Sequence, residues 1–294
     1  MSTEPIRRIT VGYKATPSGE DGVALAVAIA ECTGAAIDLV CIVRMEEPDG
    51  VPGRAAYQDL LVQRATSWLA DGAAHVPAGI AVERHAIVAE SFTEGLLDFA
   101  VSSGAGLIVV GGTRDSIFGR HALGTVSSEL LHCSPLPVAL APRGYAERAA
   151  VPLTTITVAV PESARADNPL PFSLALAEQA SLSLRLVSLV SLDDDEDIDA
   201  ETSAQTRARH IAAANAVLAQ AQRSVTTVPS IDATVADGDT LEDALETLRW
   251  GEGDVVAVGS ARLAAPERIF LGSTAARILR STTAPIVVVP KARG

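Results

Sequence analysis

The chain repeats itself once. Aligned without gaps at an offset of 148, segments 107–142 and 255–290 share nine of 36 positions: Val110/Val258, Gly111/Gly259, Arg114/Arg262, Arg120/Arg268, Leu123/Leu271, Gly124/Gly272, Leu131/Leu279, Pro137/Pro285 and Pro142/Pro290. The opening strands repeat at an offset of 147, ITVGY at 9–13 and ITVAV at 156–160. The 294 residues are therefore two copies of one unit of about 148 residues. Two copies make tandem domains rather than a solenoid, which needs three or so stacked units. The expected domains are 1–143 and 154–294. The segment between them, at 142–155, is polar and flanked by prolines like a linker.

Each copy alternates strand and helix patterns. In the first, RRITVGY reads as a strand and GEDGVALAVAIAECTG as a helix closed by Gly34. AIDLVCIV is a second strand, and 54–74 a helix around Trp68. AVERHAIV is a third strand. TEGLLDFAVSS is a helix opened by Ser91 or Thr93 as cap. LIVVGG, GTVSSELLHC and PVALAP complete the copy as strand, helix and strand. The second copy repeats this order, with strands expected at 155–160, 183–190, 231–236, 254–258 and 285–290. Its helices are expected at 168–181, 202–225, 240–250 and 273–281. Strand and helix in alternation imply right-handed crossovers and a parallel sheet covered on both faces. The fold class predicted is α/β: two tandem, doubly wound open parallel sheets of flavodoxin-like or Rossmann-like type.

Composition narrows the function. Hydrophobic residues make up 48% and charged residues 20%, enough to build cores. Aromatics are only 3%, which argues against stacking platforms for single strands. Net charge is −13, so the basic footprint of a nucleic-acid binder is missing. No apolar run reaches membrane-span length, and MSTEPIRRIT has no apolar signal core. Cys32, Cys41 and Cys133 form no CxxC and read as reduced, mostly buried thiols, which points to the cytoplasm. Seven acids between Asp193 and Glu201 read as a solvated loop. They lack the glycine turn and closing glutamate of a calcium loop.

The segment with most chemical promise follows the fourth strand of each copy. The strand ends in glycine (Gly111, Gly259), twelve residues follow, and Gly124-Thr125 or Gly272-Ser273 opens a helix. Doubly wound sheets bind ligands outside the carboxyl ends of their strands. Free N–H groups at a helix start favour a phosphate or carboxylate, and glycine lets a ligand approach the backbone. Arg114, Arg120, Arg262 and Arg268 place cations at matched positions on these loops. Read from the residues, this is an anion pocket, or a turn in which the glycines shape the chain and the arginines pair with surface acids.

On these residues the chain resembles the universal stress protein family in its tandem form, over about residues 5–292. Family domains carry G-x2-G-x9-G-[ST] after strand four and P-x-P-V-x-V-x-P on strand five. Here Gly111 with Gly124-Thr125, Gly259 with Gly272-Ser273, SPLPVALAP and TAPIVVVP match. The resemblance implies strand order 3-2-1-4-5 and pairing of the halves through their fifth strands as a pseudo-dimer, with a further homodimer open. It also implies a regulatory role in stress or dormancy. The implied nucleotide or anion site comprises Lys14, Val43, Gly111, Arg114, Gly124, Thr125, Val126 and Ser127 in the first copy. In the second it comprises Gly259, Arg262, Gly272, Ser273 and Thr274. ATP is the implied ligand of the first copy, and no cofactor is expected otherwise.

The chain departs from the family at two points. Arg114 and Arg262 replace the middle glycine of the signature. The acid that ends strand one in ATP-binding members is Lys14 in the first copy and Pro161 in the second. Proline removes a backbone donor as well as the charge. The first copy also keeps Gly124-Thr125-Val126-Ser127, nearer the family's helix start than Gly272-Ser273-Thr274-Ala275. The two arginine pairs either clamp an anion or bond to acids across the pseudo-twofold contact.

Other motifs are incomplete. No GxGxxG opens a helix, and neither GxxxxGK[ST] nor GxSxG occurs. TPSGEDG at 16–22 lacks the second glycine and final serine of an ATP-pyrophosphatase loop. His75, His85, His121, His132 and His210 show no HxxxH or HExxH spacing and read as surface or capping residues, with no metal site expected. His132 and Cys133 point to different faces of one helix. Trp68 and Trp250 are expected on helices against the sheets. Three readings stay open: a non-enzymatic stress-response protein binding ATP, AMP or another phosphorylated anion, a scaffold with vestigial pockets, and a weak nucleotide hydrolase.

Overall fold

A computed structural model describes residues 4–45, 54–112, 124–148, 151–160, 169–191, 200–223, 228–261 and 268–291. The chain divides into two compact units, Pro5–Pro152 and Leu153–Gly294, the latter grouped with the first four residues.

The first unit runs β1 (Arg8–Gly12), α1 (Pro17–Thr33), β2 (Ala36–Arg44), α2 (Arg54–Ala73), β3 (Val82–Ala89), α3 (Phe92–Ser102), β4 (Leu107–Gly111), α4 (Thr125–Cys133) and β5 (Val138–Ala141). Its sheet order is β3-β2-β1-β4-β5, and every adjacent pair is parallel. The central strands are buried along their length: Ile9, Val11, Leu39, Leu107, Ile108 and Val109 have no exposed surface. Burial of each such side chain stabilises by about 1.5–3 kcal/mol. The helices begin and end on chemical signals. Thr16 caps α1 by accepting the Gly19 N–H at 3.3 Å, Pro17 follows, and Gly34 ends the helix at φ 73°, a left-handed position. Ser91 caps α3 in the same way.

The second unit repeats the plan with β6 (Thr155–Ala159), α5 (Leu170–Ala180), β7 (Ser183–Val190), α6 (Ala200–Arg223), β8 (Ile231–Asp237), α7 (Leu241–Glu246), β9 (Asp254–Gly259), α8 (Ser273–Ser281) and β10 (Ile286–Val289). The sheet order is β8-β7-β6-β9-β10, again with parallel neighbours. Both units have the expected doubly wound α/β architecture. Ser181 stands where Gly34 stands in the first unit and holds the same left-handed conformation at φ 54°.

One helix is shorter than the sequence suggests. Periodicity predicts a helix at 240–250, but α7 stops at Glu246. Past its end the Asp254 carboxylate accepts the Gly251 N–H at 2.8 Å and turns the chain into β9. Trp250 is therefore outside the helix, where the Arg185 guanidinium stacks on its ring at 5.3 Å. Trp68 is on α2 as expected, with Arg64 5.5 Å over its ring. The acidic residues Asp193 to Asp199 lie outside the described residues.

Candidate functional site

Because all five strands of the first unit are parallel, their carboxyl ends share one edge. Lys14 lies just past β1, Val43 near the end of β2, Gly111 at the end of β4, and Gly124 to Ser127 open α4. Arg114 and Arg120 lie outside the described residues. The structure gives these residues different surroundings. Lys14 is exposed, with its ammonium 4.6 Å from the ring centroid of Phe92, the first residue of α3. Val43 is buried in the sheet. Gly124 is the N-cap of α4 in extended conformation (φ −77°, ψ 171°) and supplies no side chain to the first N–H groups of the helix. Thr125 is exposed, Val126 half-buried and Ser127 buried. A helix start that no described side chain caps, beside an exposed hydroxyl, favours an anion.

Gly111 has a packing duty as well. A Cβ built on it would lie 1.8 Å from the Ser18 carbonyl oxygen. One on Gly19 would lie 2.0 Å from the Lys14 carbonyl oxygen, and one on Gly22 would lie 3.2 Å from the Gly111 nitrogen. The start of α1 is thus seated backbone to backbone on the end of β4. Only glycine permits that approach.

A cleft of about 550 Å³ opens beside this junction. Its lining includes Pro17, Ser18, Glu20, Gly112, Arg143 and Glu147. Its wall is fixed by Asp21, a 2%-exposed residue on α1. That carboxylate accepts the N–H groups of Gly144 and Ala146, each at 2.9 Å, and so ties the chain leaving β5 to α1. Sequence reading passed over Asp21. The signal was available in an acid placed on the apolar face of GEDGVALAVAIA.

The second unit keeps the outline and changes its details. Gly272 caps α8 with φ −78° and ψ 167°, and Ser273 and Thr274 are exposed. A Cβ on Gly272 would lie 3.1 Å from the Ala261 Cβ. The Ala261 N–H donates to the Phe270 carbonyl at 2.7 Å, and Ser260 beyond Gly259 donates its hydroxyl to the Val289 carbonyl at 2.9 Å. Pro161 and Arg262 lie outside the described residues.

A polar cluster at the opposite end of the first sheet went unread in the sequence. Asp38 on β2 has no exposed surface. Its Oδ1 accepts from Arg8 at 2.6 Å and lies 3.1 Å from His85 Nε2. His85 in turn packs against Phe99 at 4.5 Å between ring centroids. One ligand atom each of Asp38, Glu83 and His85 falls within 4.8 Å of the others, a spacing that suits a cation. Arg8 already supplies positive charge there, bonded to Asp38 and 3.6 Å from Glu83. A lone acid inside the apolar run AIDLVCIV was the signal. His132 bonds the Ser128 carbonyl within α4, while Cys133 donates to the Glu129 carbonyl. Burial pushes the Cys32 thiol up to about 11 and raises Cys41 as well, so neither is a ready thiolate at neutral pH.

The comparisons with known proteins agree with this architecture. The universal stress protein family model matches twice, at residues 5–142 and 152–290. A universal stress protein of Mycobacterium tuberculosis is 25% identical, covering 96% of this chain and 99% of the relative. Among solved structures, a universal stress protein from Archaeoglobus fulgidus superposes with a TM-score of 0.62 at 16% identity, covering 98% of each chain. A protein of unknown function from Pseudomonas aeruginosa superposes with a TM-score of 0.60 at 19% identity, covering 98% of this chain and 94% of its own. None of the described helices is long and apolar enough to cross a membrane. With both halves matched by the family model and each folded as a five-stranded doubly wound sheet, the chain belongs to the universal stress protein family.

Proposed function

We propose that the chain is a cytoplasmic stress-response protein that regulates by binding rather than by catalysis, and that its first half takes ATP or a related phosphorylated anion. The observation that carries the reading is the start of α4. Among the described residues no side chain caps the first N–H groups of the helix at Gly124, beside the exposed Thr125 hydroxyl. The exposed Lys14 adds a cation on the same edge of the sheet. In the second half Pro161 takes the place of Lys14, which favours the first half as the occupied one. The names of the curated relatives support the stress-response role. Nucleotide analysis of gently purified protein tests the reading. Bound ATP or AMP at near one equivalent per chain is expected, and a chain carrying none that also fails to take up added ATP would leave the scaffold reading.

A further inference from the structure

We propose that buried ion pairs of opposite polarity key each half of the chain to its own strands and helices, and so keep the duplicated units from cross-pairing as they fold. Tandem copies in one chain invite misassembly, because elements of one copy fit the frame of the other. The central strands differ in charge at one position alone, Arg8 of β1 against Thr155 of β6. β1 and β6 share Ile-Thr-Val at 9–11 and 156–158, and they bind their neighbours in the same register, Thr10 beside Asp38 and Thr157 beside Arg185. β2 and β7 have nearly the same apolar pattern, AIDLVCIV and SLRLVSLV. What differs is the charge at one matched position, Asp38 against Arg185.

Each charge has its counter-ion within its own unit. Asp38 is held by Arg8 of β1 at 2.6 Å and faces His85 of β3. Arg185 donates to Thr157 Oγ1 and to Asp254 of β9, each at 2.9 Å, and stands in register with Asp232 of β8. Exchange would break both arrangements. β7 set beside β1 would bring Arg185 against Arg8. β2 set beside β6 would bring Asp38 between Asp232 and Asp254 with no base. An uncompensated buried charge is strongly disfavoured, and specification of pairing is the best-attested use of such groups. Stability alone does not account for Asp38: its Oδ2 and the neighbouring Thr10 Oγ1 are buried with no hydrogen-bond partner among the described residues.

The helices also differ in charge at a matched position, in contacts nearer the surface. In the first unit Thr93 of α3 donates to Glu129 of α4. In the second, Arg277 of α8 donates to Glu242 of α7. Glu129 and Arg277 are 148 apart, so they occupy the matched position with opposite sign. α4 packed on α7 would set Glu129 against Glu242.

The test is refolding of the full chain from urea. It reads the fraction recovered with native spectrum and native hydrodynamic size across a range of protein concentrations. The double variant Arg8→Asp with Asp38→Arg keeps an ion pair in the first unit but gives both units an arginine on the second strand. It should melt near the wild-type temperature yet refold with a several-fold lower native fraction. The near-isosteric Asp38→Asn, which removes only the charge, should give an intermediate yield and decides the matter if the reversed pair does not fold. Wild-type yields from both Asp38→Asn and the reversed pair, or from Asp38→Asn alone where the pair fails to fold, would overturn the proposal. So would losses that merely follow a lowered melting temperature.

Discussion

Replacing Asp21 by Asn tests how the chain beyond β5 is held. Asp21 is 2% exposed, and its two oxygens take the Gly144 and Ala146 N–H groups at 2.9 Å each. Gly144 itself has φ 76°, so the turn is shaped for this grip. Asparagine has nearly the same shape but one acceptor oxygen. Its NH2 group would face the second N–H, leaving two donors opposed in a buried place. A hydrogen bond to a charged group contributes about 1.5–3 kcal/mol, and an orphaned buried donor costs about 1–3 kcal/mol. The expected loss is about 2–3 kcal/mol for the first unit, near 5–10 °C in Tm for a domain of this size. Urea unfolding followed by circular dichroism reads the total. Hydrogen exchange of peptides covering 142–148 reads the local part, where the Gly144 and Ala146 amides should lose protection. An unchanged midpoint with unchanged exchange would refute the claim that Asp21 anchors this segment.

Three further outcomes are expected. Gly111→Ala places a methyl against the Ser18 carbonyl oxygen and forces α1 off β4, at a cost of about 2–3 kcal/mol or more even without nucleotide; wild-type melting of the ligand-free variant would show that the glycine serves ligand approach alone. Ser181→Gly relieves a left-handed serine worth roughly 1–2 kcal/mol, partly offset by the freer unfolded chain, so thermal unfolding should show a gain of about 0.5–1 kcal/mol. The hydrogen bond from Arg277 holds the Glu242 carboxyl down at about 2, against an ordinary 4.5. Its contribution is present above pH 4.5 and is lost as pH falls towards 2. Arg277→Met should return the Glu242 titration, followed by carbon NMR, to the ordinary range; no movement would contradict the assignment.

Much of the fold was legible because buried parallel strands are short apolar runs and the duplication shows each element twice. ITVGY and ITVAV, LIVVGG and VVAVG mark the same strands by repetition alone. Helix ends were readable where a local signal exists, as at Gly34 and Ser91. The end of α7 was not, since no glycine or proline marks it, and the turn that follows is closed by Asp254 from further along the chain. At the site, spacing brought Gly111 and Gly124 to one edge of the sheet, but no spacing reveals that the room beside Gly111 is filled by the Ser18 carbonyl. Asp21 and Asp38 were hidden for a common reason. Each is a buried acid in a largely apolar element, and its partners lie far along the chain, at Gly144 for one and at Arg8 and His85 for the other.

Calorimetric titration of the full chain with ATP tests the central claim most directly, using wild type, Gly124→Val and Gly272→Val. One site per chain is predicted, abolished by Gly124→Val, whose side chain stands at the start of α4, and retained in Gly272→Val. Two equal sites, equal loss from the two substitutions, or no heat of binding in the wild type would contradict it.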